Sequence, residues 1–283
     1  MLETLKKRYR FRMIAPVYPA FNIYSNIASC TTALGPVYVA TNVNKMARWD
    51  AEVIDENNLR QHGPRSKDCG ADHEFLQQQR PADVVGFYGG LTSTIPCLYK
   101  VAQFYKDKGV VTIAGGQHFV EDHIMDALSH GIDYIVIGEG EETIQELLEA
   151  IEGKREILGV KGIAFLRNGE FIRMHEREPL LDFDKLPLPD FSLVRYARLK
   201  VYPVERIRGC GMECEFCTVK GKPRAACPER LLEQIRLLVE TRAARHFFII
   251  DDLFGQHRTE TVQLCYELRN YQKRIGTRLD FTA

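Results

Sequence analysis

Three short apolar runs rich in β-branched residues constrain the fold of this chain more than any other feature of its sequence. They are DVVGFYG at 83–89, VVTIAGG at 110–116 and YIVIGEG at 134–140. Runs of this length with little polar alternation are typical of parallel strands that are buried on both faces. Helical patterns separate and follow them, at 95–108, 120–130 and 141–152. This alternation predicts an α/β fold with a doubly wound parallel sheet.

Two earlier strands extend the same predicted sheet. They are the runs RFRMIAPVYP at 10–19 and AEVIDE at 51–56. After the last helical pattern the rhythm changes, because GIAFLRNGEFIRMH at 162–175 contains two short strands around Asn168-Gly169. Asn-Gly favours a tight hairpin turn, since both positions tolerate positive φ. We predict that the first domain ends with this hairpin and covers residues 1–176.

A proline-containing connector is predicted at 177–200, before a second unit at 201–283. The strand-like runs VYPVERIRG, HFFIIDD and RLDFTA of this unit alternate with two helical patterns, which again indicates β/α units. The last run has no covering helix after it. Because a buried parallel strand at a chain end would expose backbone groups and apolar side chains, we expect a β/α domain that is truncated in this chain. The alternative is a complete, small β/α lobe with a docked terminal strand.

The charge composition is balanced, with 38 basic and 38 acidic residues. This balance gives no electrostatic reason to expect nucleic acid as a partner. No apolar run approaches the roughly 20 residues that a membrane span needs. The amino terminus lacks the apolar core of a signal peptide, so we expect a cytoplasmic protein. In a reducing compartment, clustered cysteines indicate metal or redox chemistry more often than disulfides.

The segment RGCGMECEFCTVKGK at 208–222 places three cysteines close together, namely Cys210, Cys214 and Cys217. Thiolates are soft ligands for iron–sulfur clusters and for zinc. A ferredoxin-type site takes four cysteines, so a set of three leaves one iron open to an outside ligand. The alternative is a structural zinc site that has Cys227 as its fourth ligand.

The Cys-x3-Cys-x2-Cys spacing, with Phe216 just before the last cysteine, resembles that of the radical S-adenosylmethionine (SAM) enzymes. The resemblance implies a [4Fe-4S] cluster held by the three cysteines, with SAM bound to the open iron and Phe216 beside its adenine. Asp251 and Asp252 end the run HFFIIDD. The resemblance implies that one of them holds the methionyl amine of SAM. The alternative for this pair is a helix N-cap or a surface loop.

Two glycine motifs end strands of the first domain, AGGQHFVED at 114–122 and GEGEETIQELLEAI at 138–151. With the connector and the downstream cysteines, they resemble the radical SAM enzymes that carry a cobalamin (B12)-binding domain. This implies a flavodoxin-like domain with bound cobalamin, followed by a radical SAM barrel of β/α units that is truncated in this chain. Six residues would line the corrin: Gly115, Gly116, His118, Gly138, Glu139 and Gly140. Base-off cobalamin proteins carry a cobalt-ligating histidine after the first strand, but the loop APVYPAFNIYSN at 15–26 contains none.

The resemblance implies reductive cleavage of SAM, coupled through cobalamin to modification of a small organic molecule, most commonly its methylation. It implies a tetrapyrrole, a lipid or a natural product as substrate, and flavodoxin or ferredoxin as electron donor. Two alternatives stay open. One is a cobalamin-independent radical SAM enzyme similar to the methylthiotransferases, against which a bound corrin would argue. The other is a non-catalytic interaction domain that holds zinc or a cluster, against which SAM cleavage would argue.

Overall fold

The computed structural model describes residues 9–19, 25–59, 62–67, 70–217, 219 and 221–283. The chain divides into two compact units. The first consists mainly of Gly35–Pro179, joined by the start of the chain and by Pro189–Ala197. The second consists mainly of Arg198–Ala283, joined by Cys30–Leu34 and Leu180–Leu188.

The predicted connector at 177–200 is shared between the two units. Phe183, near its middle, is buried and belongs to the second unit. Phe191 is also buried and belongs to the first. Each aromatic ring removes a large apolar area from water, so the segment is packed against folded structure at both positions.

The first unit is built around an eight-stranded sheet. Its strands are β1 (Tyr9–Ala15), β2 (Trp49–Asp55), β3 (Val84–Tyr88), β4 (Val111–Gly115), β5 (Tyr134–Val136), β6 (Ile163–Arg167), β7 (Glu170–Arg173) and β8 (Val194–Arg195). Their order is β7-β6-β5-β4-β3-β1-β2-β8, and only the β5–β6 and β6–β7 pairs are antiparallel. The order reverses between β1 and β3. This is the topological switch point of a flavodoxin-like sheet, so the predicted doubly wound fold is confirmed.

Helices cover both faces of this sheet. They are α1 (Ser25–Ala28), α2 (Leu34–Lys45), α3 (His73–Gln79), α4 (Ile95–Asp107), α5 (Asp122–Ser129) and α6 (Gly140–Ile151). One buried cluster contains Tyr105 and the other contains Trp49. Along β1, Ile14 lies in the first cluster while Phe11 and Met13 lie in the second. This follows from the alternation of side chains along a strand.

The predicted hairpin is formed by β6 and β7. Its turn residues, Asn168 and Gly169, have φ angles of 52° and 82°. The pairing of Arg167 with Glu170 closes the turn. Both turn positions therefore have the positive φ for which the Asn-Gly pair is favoured.

The second unit contains a parallel sheet of successive β/α units. Its elements are β9 (Val201–Val204), β10 (Ile207–Arg208), β11 (Arg224–Ala225), α7 (Pro228–Arg242), β12 (His246–Ile249), α8 (Arg258–Ile275) and β13 (Asp280–Thr282). The parallel strands lie in the order β13-β12-β9, while β10 and β11 form a separate antiparallel pair. Leu231, Ile235, Phe247 and Leu264 form part of the buried core. Parallel strands that follow one another across a sheet, joined by helices, are β/α units, and they confirm the predicted α/β fold class.

The two helices of the second unit have clear ends. Pro228 begins α7, where its missing donor leaves no backbone bond unmade. Ala243 and Gly276 follow α7 and α8 in the left-handed region, with φ of 52° and 60°. In the described ranges, no helix is long and apolar enough to cross a lipid bilayer.

Candidate functional site

The cysteines lie on a loop at 209–223 whose two ends are joined by the β10–β11 ladder. Ile207 pairs with Ala225 and Arg208 pairs with Arg224. Inside the ladder, the Gly211 N–H donates to the Gly221 carbonyl at 3.2 Å. The loop therefore leaves and rejoins the β/α unit at one place, directly after β9.

The three predicted ligands share this loop, but their thiols are not gathered into a ready ligand set. The Cys217 N–H donates to the Cys214 carbonyl at 3.1 Å, so these two residues lie in one turn. Cys214 is exposed, and Cys210 and Cys217 are half-buried. Within the described residues, no three His, Cys, Asp or Glu side chains are close enough to hold a metal ion. Three accessible thiols on one loop are nevertheless a donor set that fits a soft, thiolate-bound centre.

Cys227, the fourth ligand of the zinc alternative, lies outside the loop. It is the N-cap of α7, and its backbone N–H donates to the Asp184 carboxylate at 3.1 Å. Burial raises the pKa of the Cys227 thiol, and the nearby Asp184 raises it further. A metal ligand needs the thiolate, so this environment is unfavourable for a zinc ligand.

Phe216 stands out on the loop because 91% of its surface is exposed. It lies between Cys214 and Cys217 in the sequence, and Met212 is exposed on the same loop. An accessible aromatic face can stack on a flat ring of a ligand. The predicted place of Phe216 beside an adenine remains a prediction.

Asp251 and Asp252 follow β12 and hold the backbone at the start of the cysteine loop. Asp251 Oδ1 accepts from the N–H groups of Arg206, at 2.6 Å, and Ile207, at 2.9 Å. Asp252 Oδ2 accepts from the Gly209 N–H at 2.6 Å. Burial raises the pKa of Asp251, while its bonds to the two amides act in the opposite direction. The predicted contact of either carboxylate with the methionyl amine of SAM remains a prediction.

Neither aspartate is a helix N-cap. His257 occupies that position in α8. The N-cap interpretation of the pair is therefore wrong. The sequence predicted that the pair lies at the end of a strand, but it did not indicate that the partners are backbone amides of the cysteine loop.

Arg206 forms a buried polar cluster behind the loop that the sequence analysis missed. Its Nη1 donates to the Ala226 carbonyl at 3.2 Å and pairs with Glu260 at 2.6 Å. Within the described part of the chain, its Nε and Nη2 have no hydrogen-bond partner, and neither do Gln234 Oε1 and Asp251 Oδ2. Buried polar atoms are normally paired, directly or through water. The signal in the sequence was a charged pair, Glu205-Arg206, inside an otherwise apolar run.

Phe183 contacts both strands of the β10–β11 ladder. The guanidinium carbons of Arg208 and Arg224 lie 4.9 and 5.2 Å from the centre of its ring. These arginines are cross-strand partners, and Arg224 also donates to the Leu180 carbonyl at 2.6 Å. The segment Leu180–Leu188 therefore contacts the base of the cysteine loop through cation–π interactions.

In the first unit, the carboxyl ends of neighbouring strands carry glycines. Gly89 follows β3, Gly115 ends β4, Gly116 follows it, and Gly138 follows β5. The Gly89 N–H donates to the Gly115 carbonyl at 2.8 Å. A Cβ atom on Gly116 would lie 2.7 Å from the Gly89 carbonyl oxygen, so only glycine fits there. We call these four residues the glycine edge; a ligand can approach the backbone closely along it.

Gly138 has a φ of 78°, and nothing lies within 4 Å of the place that its Cβ would take. Glu139 is the N-cap of α6, and Gly140 is the first residue of that helix. Five of the six predicted corrin contacts, Gly115, Gly116, Gly138, Glu139 and Gly140, thus lie where strands end or a helix begins. Gly89 was missed, although Gly89-Gly90 repeats the pattern of Gly115-Gly116.

His118 is buried beside the glycine edge. Its backbone N–H donates to the Gly89 carbonyl at 2.9 Å, and its ring Nδ1 lies 3.1 Å from Thr92 Oγ1. The His123 ring is 4.4 Å away between centroids. Burial lowers the pKa of His118, and the neighbouring His123 lowers it further. His118 is therefore less readily protonated than an ordinary histidine.

The loop after β1 is fixed by residues that follow β2. Glu56 Oε2 accepts from the Val17 N–H at 3.0 Å. Asn57 Oδ1 accepts from the Tyr18 N–H at 2.8 Å, and Asn57 Nδ2 donates to the Pro16 carbonyl at 3.1 Å. Residues 20–24 of the histidine-free loop lie outside the described residues. The part that is described is held at the switch point by buried side chains.

Comparisons with known proteins agree with this geometry. Residues 23–148 match the family model of the B12 binding domain. Over 264 residues the chain is 28% identical to an "Uncharacterized methyltransferase" of Pyrococcus horikoshii, covering 88% of this chain and 54% of that protein. Over 200 residues it is 26% identical to an anaerobic magnesium-protoporphyrin IX monomethyl ester cyclase of Rubrivivax gelatinosus, covering 63% and 36%. These similarities support the resemblance to the radical SAM enzymes that carry a B12-binding domain.

A solved structure shows the same fold. The cobalamin-dependent SAM radical enzyme OxsB superposes with a TM-score of 0.72 at 15% identity, over 97% of this chain and 38% of that one. The chain spans about half the length of the first curated relative and about a third of the second. In this chain, the B12-binding domain is the unit with the glycine edge, and the β/α unit carries the cysteines.

Proposed function

We propose that this chain supports reductive cleavage of SAM at a [4Fe-4S] cluster, coupled through cobalamin to methylation of a small organic substrate. The observation that carries the proposal is the cysteine loop. Three thiols lie on one loop closed by the β10–β11 ladder, directly after the first strand of a β/α unit. The B12-binding domain in the same chain supports the part assigned to cobalamin.

Each group of residues has a role in this proposal. Cys210, Cys214 and Cys217 hold three irons and leave one open, and Phe216 offers its exposed ring to the adenine of SAM. When bound, the cluster supplies the electron that cleaves the sulfonium, and the cobalamin carries the methyl group. The glycine edge lets the corrin approach the backbone of the B12-binding domain, and His118, whose lowered pKa disfavours a positive charge, borders it.

The substrate and the electron donor are part of the proposal. The similarity to a magnesium-protoporphyrin cyclase supports a tetrapyrrole, and a lipid or another natural product fits the same chemistry. We propose flavodoxin or ferredoxin as electron donor. Thiolate ligands need a reducing compartment, which supports a cytoplasmic location.

The deciding experiment is anaerobic reconstitution with iron and sulfide, followed by electron paramagnetic resonance (EPR) of the reduced protein with and without SAM. We expect a four-iron signal that shifts when SAM is added, because SAM binds the open iron. A colourless protein with one tightly bound zinc and no response to SAM would contradict the proposal and favour the interaction domain. A shifting signal without any binding of hydroxocobalamin would favour the cobalamin-independent enzyme.

A further inference from the structure

The start of the cysteine loop is tied to the end of β12 by side chains as well as by backbone. The Ile250 N–H donates to the Val204 carbonyl at 2.9 Å, which continues the β9–β12 pairing. Beyond that point, the Asp251 carboxylate accepts the amides of residues 206 and 207, and the Asp252 carboxylate accepts the Gly209 amide. The carboxylates add to a long backbone bond, in which the Asp252 N–H donates to the Ile207 carbonyl at 3.4 Å.

Among these bonds, the one that the Asp252 carboxylate accepts from the Gly209 N–H lies nearest to the first cysteine, since Gly209 precedes Cys210 in the sequence. At 2.6 Å it is short, as expected for an amide that donates to a charged carboxylate. Gly209 has a φ of 79°, and a Cβ there would lie 2.9 Å from the Lys222 carbonyl oxygen. The backbone at Gly209 is therefore fixed between the returning arm of the loop and the Asp252 carboxylate.

The two aspartates differ in their surroundings. Asp251 is half-buried and braces Arg206 and Ile207, which belong to the framework of the unit. Asp252 is exposed and contacts the loop itself. Removal of Asp252 should therefore disturb the loop more than the fold.

We propose that Asp252 is a positioning residue for the iron–sulfur cluster: it fixes the backbone that presents Cys210, and its negative charge lowers the reduction potential of the cluster. This inference rests on the proposed function, because it requires that the loop binds a cluster. A carboxylate that holds a ligand-bearing backbone acts like the outer-shell partners of metal ligands, whose loss weakens metal binding about 10- to 100-fold. A negative charge nearby disfavours the reduced, more negative cluster.

Two variants separate the hydrogen bond from the charge. Asp252→Asn keeps an acceptor oxygen for the Gly209 amide but removes the charge, whereas Asp252→Ala removes both. Asp280→Ala deletes another partly exposed aspartate of the same unit, which pairs with Arg278 and His246. Glu215→Gln removes one negative charge from an exposed residue of the cysteine loop itself.

The readouts are iron and sulfide content, the rate of cluster loss to a chelator, the midpoint potential, and thermal unfolding of the protein before reconstitution. We expect Asp252→Ala to lose its cluster about tenfold faster than the wild type. Asp252→Asn should keep its cluster but show a more positive midpoint potential. Before reconstitution, Asp252→Ala and Asp280→Ala should unfold at similar temperatures, and Glu215→Gln should retain its cluster like the wild type.

The outcomes distinguish this inference from the proposed function. If the wild type takes up no cluster, the proposed function fails and the inference fails with it. If the wild type holds a cluster and Asp252→Ala holds it equally well at the same potential, only the inference is overturned. A third outcome is that Asp252→Ala unfolds at a much lower temperature than Asp280→Ala, while Asp252→Asn restores neither the unfolding temperature nor the retention of the cluster. Asp252 would then stabilise the fold rather than the cluster, which also overturns the inference.

Discussion

At the scale of single residues, Cys214 has no substitute within its loop. It shares a turn with Cys217, whereas Cys210 precedes Gly211 at the start of the loop. Cys227 lies beyond the ladder as the N-cap of α7, so it is not placed to replace a missing ligand. Two thiols cannot hold three irons of a cluster.

We predict that Cys214→Ala abolishes cluster assembly. Iron and sulfide measured after anaerobic reconstitution should fall to the level carried by a protein that has no cluster site. Cys265→Ala is the matched control, because Cys265 is an exposed cysteine on α8 outside the loop. A Cys214→Ala protein with full iron and sulfide content would show that the loop is not the cluster site.

His118 gives a second prediction, which concerns pH. Its pKa is lowered in the folded protein by burial and by His123. As the pH falls below the ordinary value of about 6.5, the unfolded chain binds a proton that folded His118 does not, so acid destabilises the fold. When the pH is lowered from 7.5 to 5.5, we expect the melting temperature of His118→Gln to fall less than that of the wild type. His62→Gln is the control at an exposed position, and its melting temperature should fall as much as that of the wild type. An equally large fall for His118→Gln would show that His118 does not cause the acid destabilisation.

At the scale of secondary-structure elements, the buried Glu56 joins several segments of the B12-binding domain. It accepts from the Val17 amide in the loop after β1 and from the Ala71 amide before α3. It also contacts His73 Nε2 at 2.9 Å, and His73 Nδ1 lies 3.1 Å from the Tyr105 hydroxyl. The bonds of Glu56 thus fix the loop at the switch point of the sheet to α3 and, through His73, to α4.

We predict that Glu56→Gln lowers the free energy of unfolding by about 1–3 kcal/mol, because an amide nitrogen would face buried donors that now have a carboxylate acceptor. Urea unfolding would measure this change. Glu74→Gln, at an exposed position of α3 where Glu74 pairs with Lys108, is the control and should change the free energy of unfolding much less, because exposed ion pairs contribute little. A stability of Glu56→Gln equal to that of the wild type would show that the Glu56 bonds contribute little.

The glycine edge gives a prediction with a closely matched control. Gly138 and Gly109 have φ of 78° and 73°, and neither has an atom within 4 Å of the place that its Cβ would take. Alanine should therefore cost both positions a similar backbone strain, about 1 kcal/mol. Only Gly138 follows the carboxyl end of a strand, whereas Gly109 precedes β4. We expect Gly138→Ala to weaken binding of hydroxocobalamin about tenfold and Gly109→Ala to leave it unchanged, as measured by absorbance titration. Equal affinities would place the corrin elsewhere.

The elements that the sequence predicted are those whose pattern is local. The strands β3, β4 and β5 were predicted because each is a continuous apolar run, and the hairpin because Asn-Gly specifies its turn. The helix α3 was missed because it has seven residues and depends on its N-cap Asp72, whose carboxylate accepts from Phe75. The two-residue strand β11 was missed, and β10 was predicted only as part of one run with β9, because the mutual pairing of β10 and β11 across the cysteine loop defines them.

The candidate site divides in the same way. Cysteine spacing is local, so the three thiols were identified from the sequence. The bond between Asp252 and Gly209 depends on the pairing of β12 with β9, which joins residues far apart in the chain. Arg206 was missed for the same reason, since its partners Ala226 and Glu260 belong to later elements. Sequence patterns therefore identified ligands better than the groups that hold them.

At the scale of the whole molecule, the two cofactor sites that we propose lie in different compact units. The glycine edge belongs to the first unit and the cysteine loop to the second. Each unit has its own buried residues, such as Trp49 in the first and Phe247 in the second. Units with separate cores are expected to keep their structure when a surface loop of the other is altered.

We predict that the two cofactors load independently. Cys214→Ala should bind hydroxocobalamin with the affinity of the wild type, and Gly138→Ala should take up the same amount of iron and sulfide as the wild type. Absorbance titration of the corrin and iron analysis of the same preparations measure both. Loss of both cofactors in either variant would show that the sites depend on each other.

The bond between Asp252 and Gly209 also has a consequence for the time at which the metal enters. Synthesis runs from the amino terminus, so Phe183 and the three cysteines leave the ribosome before Asp252 does. A nascent chain therefore exposes its thiols while the loop that carries them still lacks one of its anchors. We expect iron that enters before β12 has paired with β9 to be held less tightly, so that the cluster in newly made protein becomes resistant to chelators only after that pairing.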